Sequence, residues 1–193
     1  MINIYKGKKQ PVSLDRIDPF HRILLENRML TTALLEELTG SAVAVDPCTR
    51  VRGRCAVRFA VLTGGGRVFV FARSAVNLAL LPEPAIVDVL SGQVPLGRIF
   101  ARHAGDHQRG NFSYFTIEDE RLTPIMYGRL PGSGTVCGRF TRERGVHRFS
   151  GRSYDIFLGE ARLARIEEIF SHQIREKALE WWGVMESRRR LSA

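Results

Sequence analysis

The chain has no run of apolar residues approaching the roughly 18 needed to cross a bilayer. Its basic first residues, with Lys6, Lys8 and Lys9, are not followed by the apolar stretch of a secretory signal. Its three cysteines, Cys48, Cys55 and Cys137, are odd in number and have no short regular spacing. That excludes a disulfide framework and a zinc motif, and free thiols suit a reducing compartment. The expectation is a soluble cytoplasmic protein with no membrane span. Lysine is scarce: four of the 29 basic residues are lysines and 25 are arginines. No helix-turn-helix, RNP motif or zinc finger accompanies them. The terminal runs Lys6–Lys9 and Arg188–Arg190 read as solvated tails, so no specific nucleic-acid partner is expected.

What is present is enough for one folded domain. The sequence has 193 residues, 44% of them hydrophobic. A chain of this length buries about 70% of its unfolded surface without help from disulfides or metals. The net charge of +9 points to an anionic partner.

Residues 1–18 read as a flexible lead-in. Apolar positions from Phe20 to Leu38 recur at helical spacing. Asn27 divides them into two helices, Thr31 reads as the second N-cap, and Gly40 is a good stop. Ala42–Val45, Arg54–Leu62 and Val68–Ala72 read as strands. Gly64-Gly65-Gly66 between the last two is first a hairpin turn. It lacks the Lys-Ser/Thr and the following helix of a phosphate loop. A helix over residues 76–90 is interrupted by Pro82 and Pro84. Pro95-Leu96-Gly97 is a turn before a helix from Arg98. Residues 112–126 have no clear pattern, and Gly128 to Gly138 is a Gly/Pro-rich loop. Phe149–Leu158 and Arg162–Phe170 form a second hairpin across Gly159. Residues 174–193 read as a helical extension beyond a domain spanning 19–173. The fold class is α+β: an antiparallel sheet flanked by helices, in a single domain.

Few residues stand out chemically. His103 and His107 are four apart, but a third ligand and a metalloprotease glutamate are missing, so they read as surface histidines. Cys55 and Cys137 have no local base and read as inert thiols. Arg58 and Arg73 differ, because both interrupt apolar strands. Arg58 shares strand parity with Ala56, Ala60 and Leu62, which points it inward. A buried arginine needs an anion, and its planar fork suits a carboxylate. Glu167 and Glu168 alternate across the last strand, so one of them faces inward.

Four segments, in order, resemble the chorismate pyruvate-lyase (4-hydroxybenzoate synthase) family. They are Leu24-Leu25 to Leu35-Glu36, the hairpin from Arg58 to Arg73-Ser74, Val94-Pro95-Leu96-Gly97 to Phe100, and Gly151-Arg152-Ser153 with Leu163 to Phe170. The resemblance covers residues 22–170. Departures occur at Phe59, where the family has glutamate, at Asn77, where it has proline, and at the charged Arg162 and Arg165.

The resemblance implies a chorismate-lyase-like domain with a small enclosed site. Arg58 would hold the ring carboxylate, with the backbone around Leu96 and Gly97 enclosing it and Leu30 acting as a flap over the ring. Glu168 would serve the hydroxyl or enol-ether end. Arg73 or Arg152 would take the enolpyruvyl carboxylate. The implied activity is elimination of pyruvate from chorismate, or a related reaction on an aromatic or enol-ether acid, in aromatic biosynthesis and with no metal or organic cofactor. The rival reading is a non-catalytic carboxylate-binding module of the same fold, like the effector domains of some transcription regulators.

Overall fold

A computed structural model describes residues 7–28, 30–127 and 148–191, with only the backbone of residues 183–191. The Gly/Pro-rich stretch 128–138, Cys137, Met29, Lys6 and the side chains of Arg188–Arg190 lie outside the described residues. The chain is an α+β domain built on one seven-stranded antiparallel sheet that does not close.

The strands are β1 (Lys9–Pro11), β2 (Ala44–Arg52), β3 (Cys55–Gly64), β4 (Arg67–Asn77), β5 (His107–Glu118), β6 (Arg148–Leu158) and β7 (Ala161–Phe170). Their spatial order is β1-β5-β6-β7-β4-β3-β2. The helices are α1 (Pro19–Glu26), α2 (Thr31–Thr39), α3 (Glu83–Ser91), α4 (Leu96–His103), α5 (Leu122–Tyr127) and α6 (Gln173–Leu191).

Local chemistry sets these boundaries. Asp18 caps α1 by accepting from the backbone N–H of Phe20 at 3.0 Å, and Pro19 opens the helix where its missing N–H costs nothing. Gly40 ends α2 in the left-handed conformation. Gly65 and Gly66, with φ of 57° and 77°, make the tight turn between β3 and β4. Pro47 is tolerated in β2 because that strand is an edge.

Two apolar cores lie on the front face of the sheet. One joins Leu24, Leu25 and Leu35 of α1 and α2 to Leu62, Val70 and Phe170, and includes Ile174 of α6. The other joins Val89, Ile99 and Phe100 of α3 and α4 to Val76, Ile156 and Ile166. The back face packs Phe59, Phe71, Phe115 and Ile169 against Leu122, Ile125 and Met126 of α5. A cavity opens between the two front cores.

The structure corrects several sequence expectations. The lead-in is not loose throughout: Lys9–Pro11 pairs with Phe115–Ile117 as an edge strand, and the Val12 N–H donates to Tyr114 O at 3.2 Å. The helix expected from residue 174 is present as α6 and its start packs onto the domain: Ile174 and Ala178 are fully buried and Gln173 accepts from the Val68 N–H at 3.1 Å. The N-cap of α2 is Leu30, and the Thr31 hydroxyl is instead given to Glu168. His103 ends α4 and bonds Asp88 at 3.1 Å, while His107 begins β5, so the two share no helix face.

Candidate functional site

Strand register assembles the site. Arg58 pairs with Ser74, which pairs with Ile166; Ala60 pairs with Ala72, which pairs with Glu168; Glu168 pairs with Arg152. Arg58, Ala60, Ser74, Ala72, Glu168 and Arg152 therefore share the front face. Arg58 and Glu168 lie two strands and two residues apart, which puts their Cα atoms about 12 Å from each other. Between them, Ala60, Ala72 and Ser74 form a floor of small side chains. Leu30, Leu96 and Gly97 line the opposite wall. The resulting cavity has a volume of about 60 Å³, room for about four to six waters at 10–15 Å³ each.

Arg58 is 2% exposed. Its Nη1 donates to Val94 O at 3.0 Å and its Nη2 to Gly92 O at 2.5 Å, so the chain between α3 and α4 holds the guanidinium head. Its Nε is buried with no partner among the described residues. No described carboxylate pairs with it. Burial accordingly lowers its pKa to about 10, since desolvation disfavours the charged form. Leu96 and Gly97, the first two residues of α4, line the same cavity. Their backbone N–H groups have no acceptor within their own helix, which makes this end of the cavity suited to an anion.

Glu168 is 5% exposed, and both of its oxygens are held. Arg152 Nε donates to Oε2 at 2.8 Å, and Thr31 Oγ1 donates to Oε1 at 2.7 Å. The Tyr154 hydroxyl donates more weakly to Oε1, at 3.5 Å. Arg152 is fully buried, and it also donates to Leu25 O at 3.1 Å, Asn27 O at 2.5 Å and Thr31 Oγ1 at 3.1 Å. Burial works against the Arg152 charge, but the adjacent Glu168 carboxylate outweighs it and the net pKa shift is upward. Burial, reinforced by Glu168, pushes the Tyr154 phenol well above its ordinary value. The carboxylate is thus fixed in position by three donors at the edge of the cavity.

The structure thus brings together Arg58, Glu168, Leu30, Leu96 and Gly97. It does not bring in Arg73. The turn-proximal register pairs Gly64 with Arg67 and Thr63 with Val68, which would set Arg58 opposite Arg73. A bulge between Leu62 and Thr63 inserts Phe69 into β4 and shifts the pairing by one residue. A one-residue shift moves every later side chain to the other face, so Arg73 registers with Glu167 on the back. Arg152 shares the front face but holds Glu168 and the chain after α1 rather than lining the cavity. It is a positioning residue.

Sequence reading missed Arg109, Ser74 and Tyr154, which all line the cavity. Ser74 follows the marked Arg73 directly, and parity with Arg58 through the bulged hairpin was the only available signal for it. Cys48 and Cys55 are half-buried free thiols away from the cavity.

The site defines a class: an α+β domain with a small, partly open cavity bounded by a buried arginine and a buried carboxylate. No family model matches the chain, and a search of curated proteins finds no match.

Proposed function

We propose that the protein is a chorismate-lyase-like enzyme. It would eliminate pyruvate from chorismate to give 4-hydroxybenzoate, or perform the same reaction on a related enol-ether acid. The observation that carries this reading is Arg58: a buried guanidinium with no carboxylate partner among the described residues, across a small cavity from Glu168. A ring carboxylate at Arg58 and the α4 N-terminus completes the missing ion pair. A para substituent on the same ring then reaches toward Glu168.

In the reaction the ether carbon–oxygen bond breaks and the C4 proton leaves. The ring becomes aromatic, and the enolate that leaves with the bonding pair takes up one proton, matching the one lost from C4, to become pyruvate. Glu168, oriented by Arg152, would accept the C4 proton or direct it to the departing oxygen. The walls hold the diene in one conformer, which removes an entropic part of the barrier. The chemistry assigned to these side chains is proton transfer and positioning.

The experiment is direct. Purified protein with chorismate is expected to release pyruvate and 4-hydroxybenzoate in equal amounts. Arg58→Ala and Glu168→Ala are each expected to lower kcat/KM by at least 100-fold. One observation favours a non-catalytic carboxylate-binding module: both Glu168 oxygens already have protein donors. Tight 4-hydroxybenzoate binding without any pyruvate release would select that reading.

A further inference from the structure

The back of the sheet carries a second concave surface. A groove of about 300 Å³, against about 60 Å³ for the cavity, lies where the start of β3, the end of β4 and the start of β7 come together. Arg52, Arg54, Arg162 and Arg165 line it, with Cys55 and Asn77. None of the residues lining the groove also lines the cavity. None of them is a carboxylate, and none is aromatic.

Turn chemistry and register bring the four guanidiniums together. Gly53, at φ of 57°, opens a two-residue turn between Arg52 and Cys55, so Arg52 closes β2 and Arg54 sits in the turn beside it. Arg52 registers with Cys55, and Cys55 with Asn77, on the strand parity of Phe59 and therefore on the back face. On β7, Arg162 and Arg165 are three apart, and regular alternation would send them to opposite faces. A bulge opposite Ile156 and Phe157 inserts Leu163 into β7. Leu163 and Ala164 consequently both pack in the front core, and Arg162 and Arg165 both face the back. Asp155 meets both of them there, at 4.0 and 3.2 Å.

The charges do not balance. Asp155 is buried, its Oδ1 is shared by Arg162 and Arg165, and its Oδ2 accepts from Asn111 at 2.9 Å. Arg52 and Arg54 have no ion-pair partner among the described residues. Four guanidiniums against one carboxylate leave a surplus of three positive charges. Convergent like charges repel one another and attract an anion of matching charge. One phosphate group carries about 1.5 to 2 negative charges at pH 7, so two or three linked phosphates match the surplus better than one. The planar fork of each arginine suits two phosphate oxygens at once. With no ring in the groove, a base has no platform to stack on, so the phosphate chain itself is what the groove recognises.

We infer that this groove is a binding site for the oligophosphate group of a small molecule: two or three phosphates joined by anhydride bonds and held by Arg52, Arg54, Arg162 and Arg165. It opens on the other face of the sheet from the cavity and does not depend on the reading of Arg58. It gives a use to Arg162 and Arg165, the charges that interrupt the last strand, and to part of the net charge of +9. The chain of phosphates is the shared chemistry of two sources, a free inorganic oligophosphate and the tail of a nucleotide.

The test uses the full chain and four probes, inorganic tripolyphosphate, ATP, orthophosphate and a short DNA duplex, measured by calorimetry at fixed ionic strength. Tripolyphosphate is expected to saturate one site per chain and to bind about tenfold or more tighter than orthophosphate. ATP within about threefold of tripolyphosphate supports the site with a nucleotide tail as its source, and much weaker ATP supports it with the inorganic chain. Replacing both turn arginines, Arg52→Gln with Arg54→Gln, should weaken tripolyphosphate about tenfold or more, and Arg162→Gln about threefold. Arg52→Lys with Arg54→Lys keeps the charge without the fork and should recover part of the binding. Arg22→Gln removes an exposed charge elsewhere, on α1, and should stay within about twofold. No saturable binding of tripolyphosphate, or a loss in Arg22→Gln equal to that in the groove variants, overturns the site and leaves a diffuse surface charge. Duplex DNA binding tighter than tripolyphosphate, with a steep dependence on salt, overturns it in favour of a nucleic-acid surface. A thermal melt of each variant separates lost folding from lost binding.

Discussion

Arg152 and Arg58 share one face of the sheet, and among the described residues only Arg152 meets a carboxylate. The two buried guanidiniums therefore serve different ends. Arg152 closes a network with Glu168, Thr31 and the carbonyls of Leu25 and Asn27. Among the described residues Arg58 bonds two neutral carbonyls, of Gly92 and Val94, and its Nε has no partner.

Arg58→Met is thus expected to leave the ligand-free protein within about 1 kcal/mol of the original stability. The lost carbonyl bonds are offset by removal of a buried charge that has no counter-ion among the described residues. The rise in melting temperature caused by 4-hydroxybenzoate should disappear. Thermal melts with and without ligand check both halves. A large loss of stability in the ligand-free variant would show Arg58 to be a structural residue.

Glu168→Gln has the opposite profile. It strands the Arg152 charge in a fully buried position, and removing one partner of a buried pair costs about 3–5 kcal/mol. Urea unfolding should report a loss of that order. Arg152→Met in the same chain should recover part of it, because the stranded charge is gone. Additive losses in the double variant would contradict the coupling.

Much of this architecture is legible in the sequence, and the illegible part has a common cause. The hairpins across Gly65-Gly66 and Gly159, the break at Asn27 and the stop at Gly40 follow from local chemistry. Strand parity pointed Arg58 inward, and Glu168 was one of two alternating candidates. Both glutamates proved to be buried, on opposite faces, with Glu168 on Arg152 and Glu167 on Lys9. The misplacement of Arg73 and the omission of Arg109 each trace to one inserted residue, at Phe69 and near Asn111. A bulge is a cross-strand event, and alternation within one strand carries no trace of it. The roles of Thr31 and Arg152 are likewise fixed by contacts more than a hundred residues apart in sequence.

The back face carries a titratable pair of its own. Glu167 is buried, and burial raises its pKa to about 7 from 4.5. Lys9 Nζ contacts its Oε2, while its Oε1 has no partner among the described residues. Burial, then Arg73 and Arg165, lowers Lys9 to about 8. The contact by itself favours the charged pair, yet both shifts run toward the neutral forms, so desolvation outweighs the contact. Because the folded pKa of Glu167 exceeds its unfolded value, the native state binds more protons between these two pH values. Stability should therefore fall as pH rises from about 4.5 to 7, by up to about 3 kcal/mol. Lys9 acts with the other sign, adding stability as pH rises above 8. Urea midpoints across this range should flatten between pH 4.5 and 7 in Glu167→Gln. An unchanged slope in that variant would assign the effect to another group.

Gly97 tests the cavity wall at a point where a Cβ would meet Leu30 first and the Arg109 guanidinium, at 4.0 Å, next. A Cβ at this position would sit 2.7 Å from Leu30 Cδ2, the end of a flexible side chain. Leu30 can swing away, but both residues line the cavity, so its movement changes the space left for a ring. Gly97 is the second residue of α4, where alanine favours the helix by up to about 1 kcal/mol. Gly97→Ala should therefore melt at the same temperature or higher, while its affinity for 4-hydroxybenzoate falls about tenfold. Adding Leu30→Ala should restore part of that affinity by returning the lost volume. Unchanged affinity in Gly97→Ala would place the ring away from this wall. A loss that Leu30→Ala does not relieve would assign the effect to the backbone at the α4 N-terminus rather than to the flap.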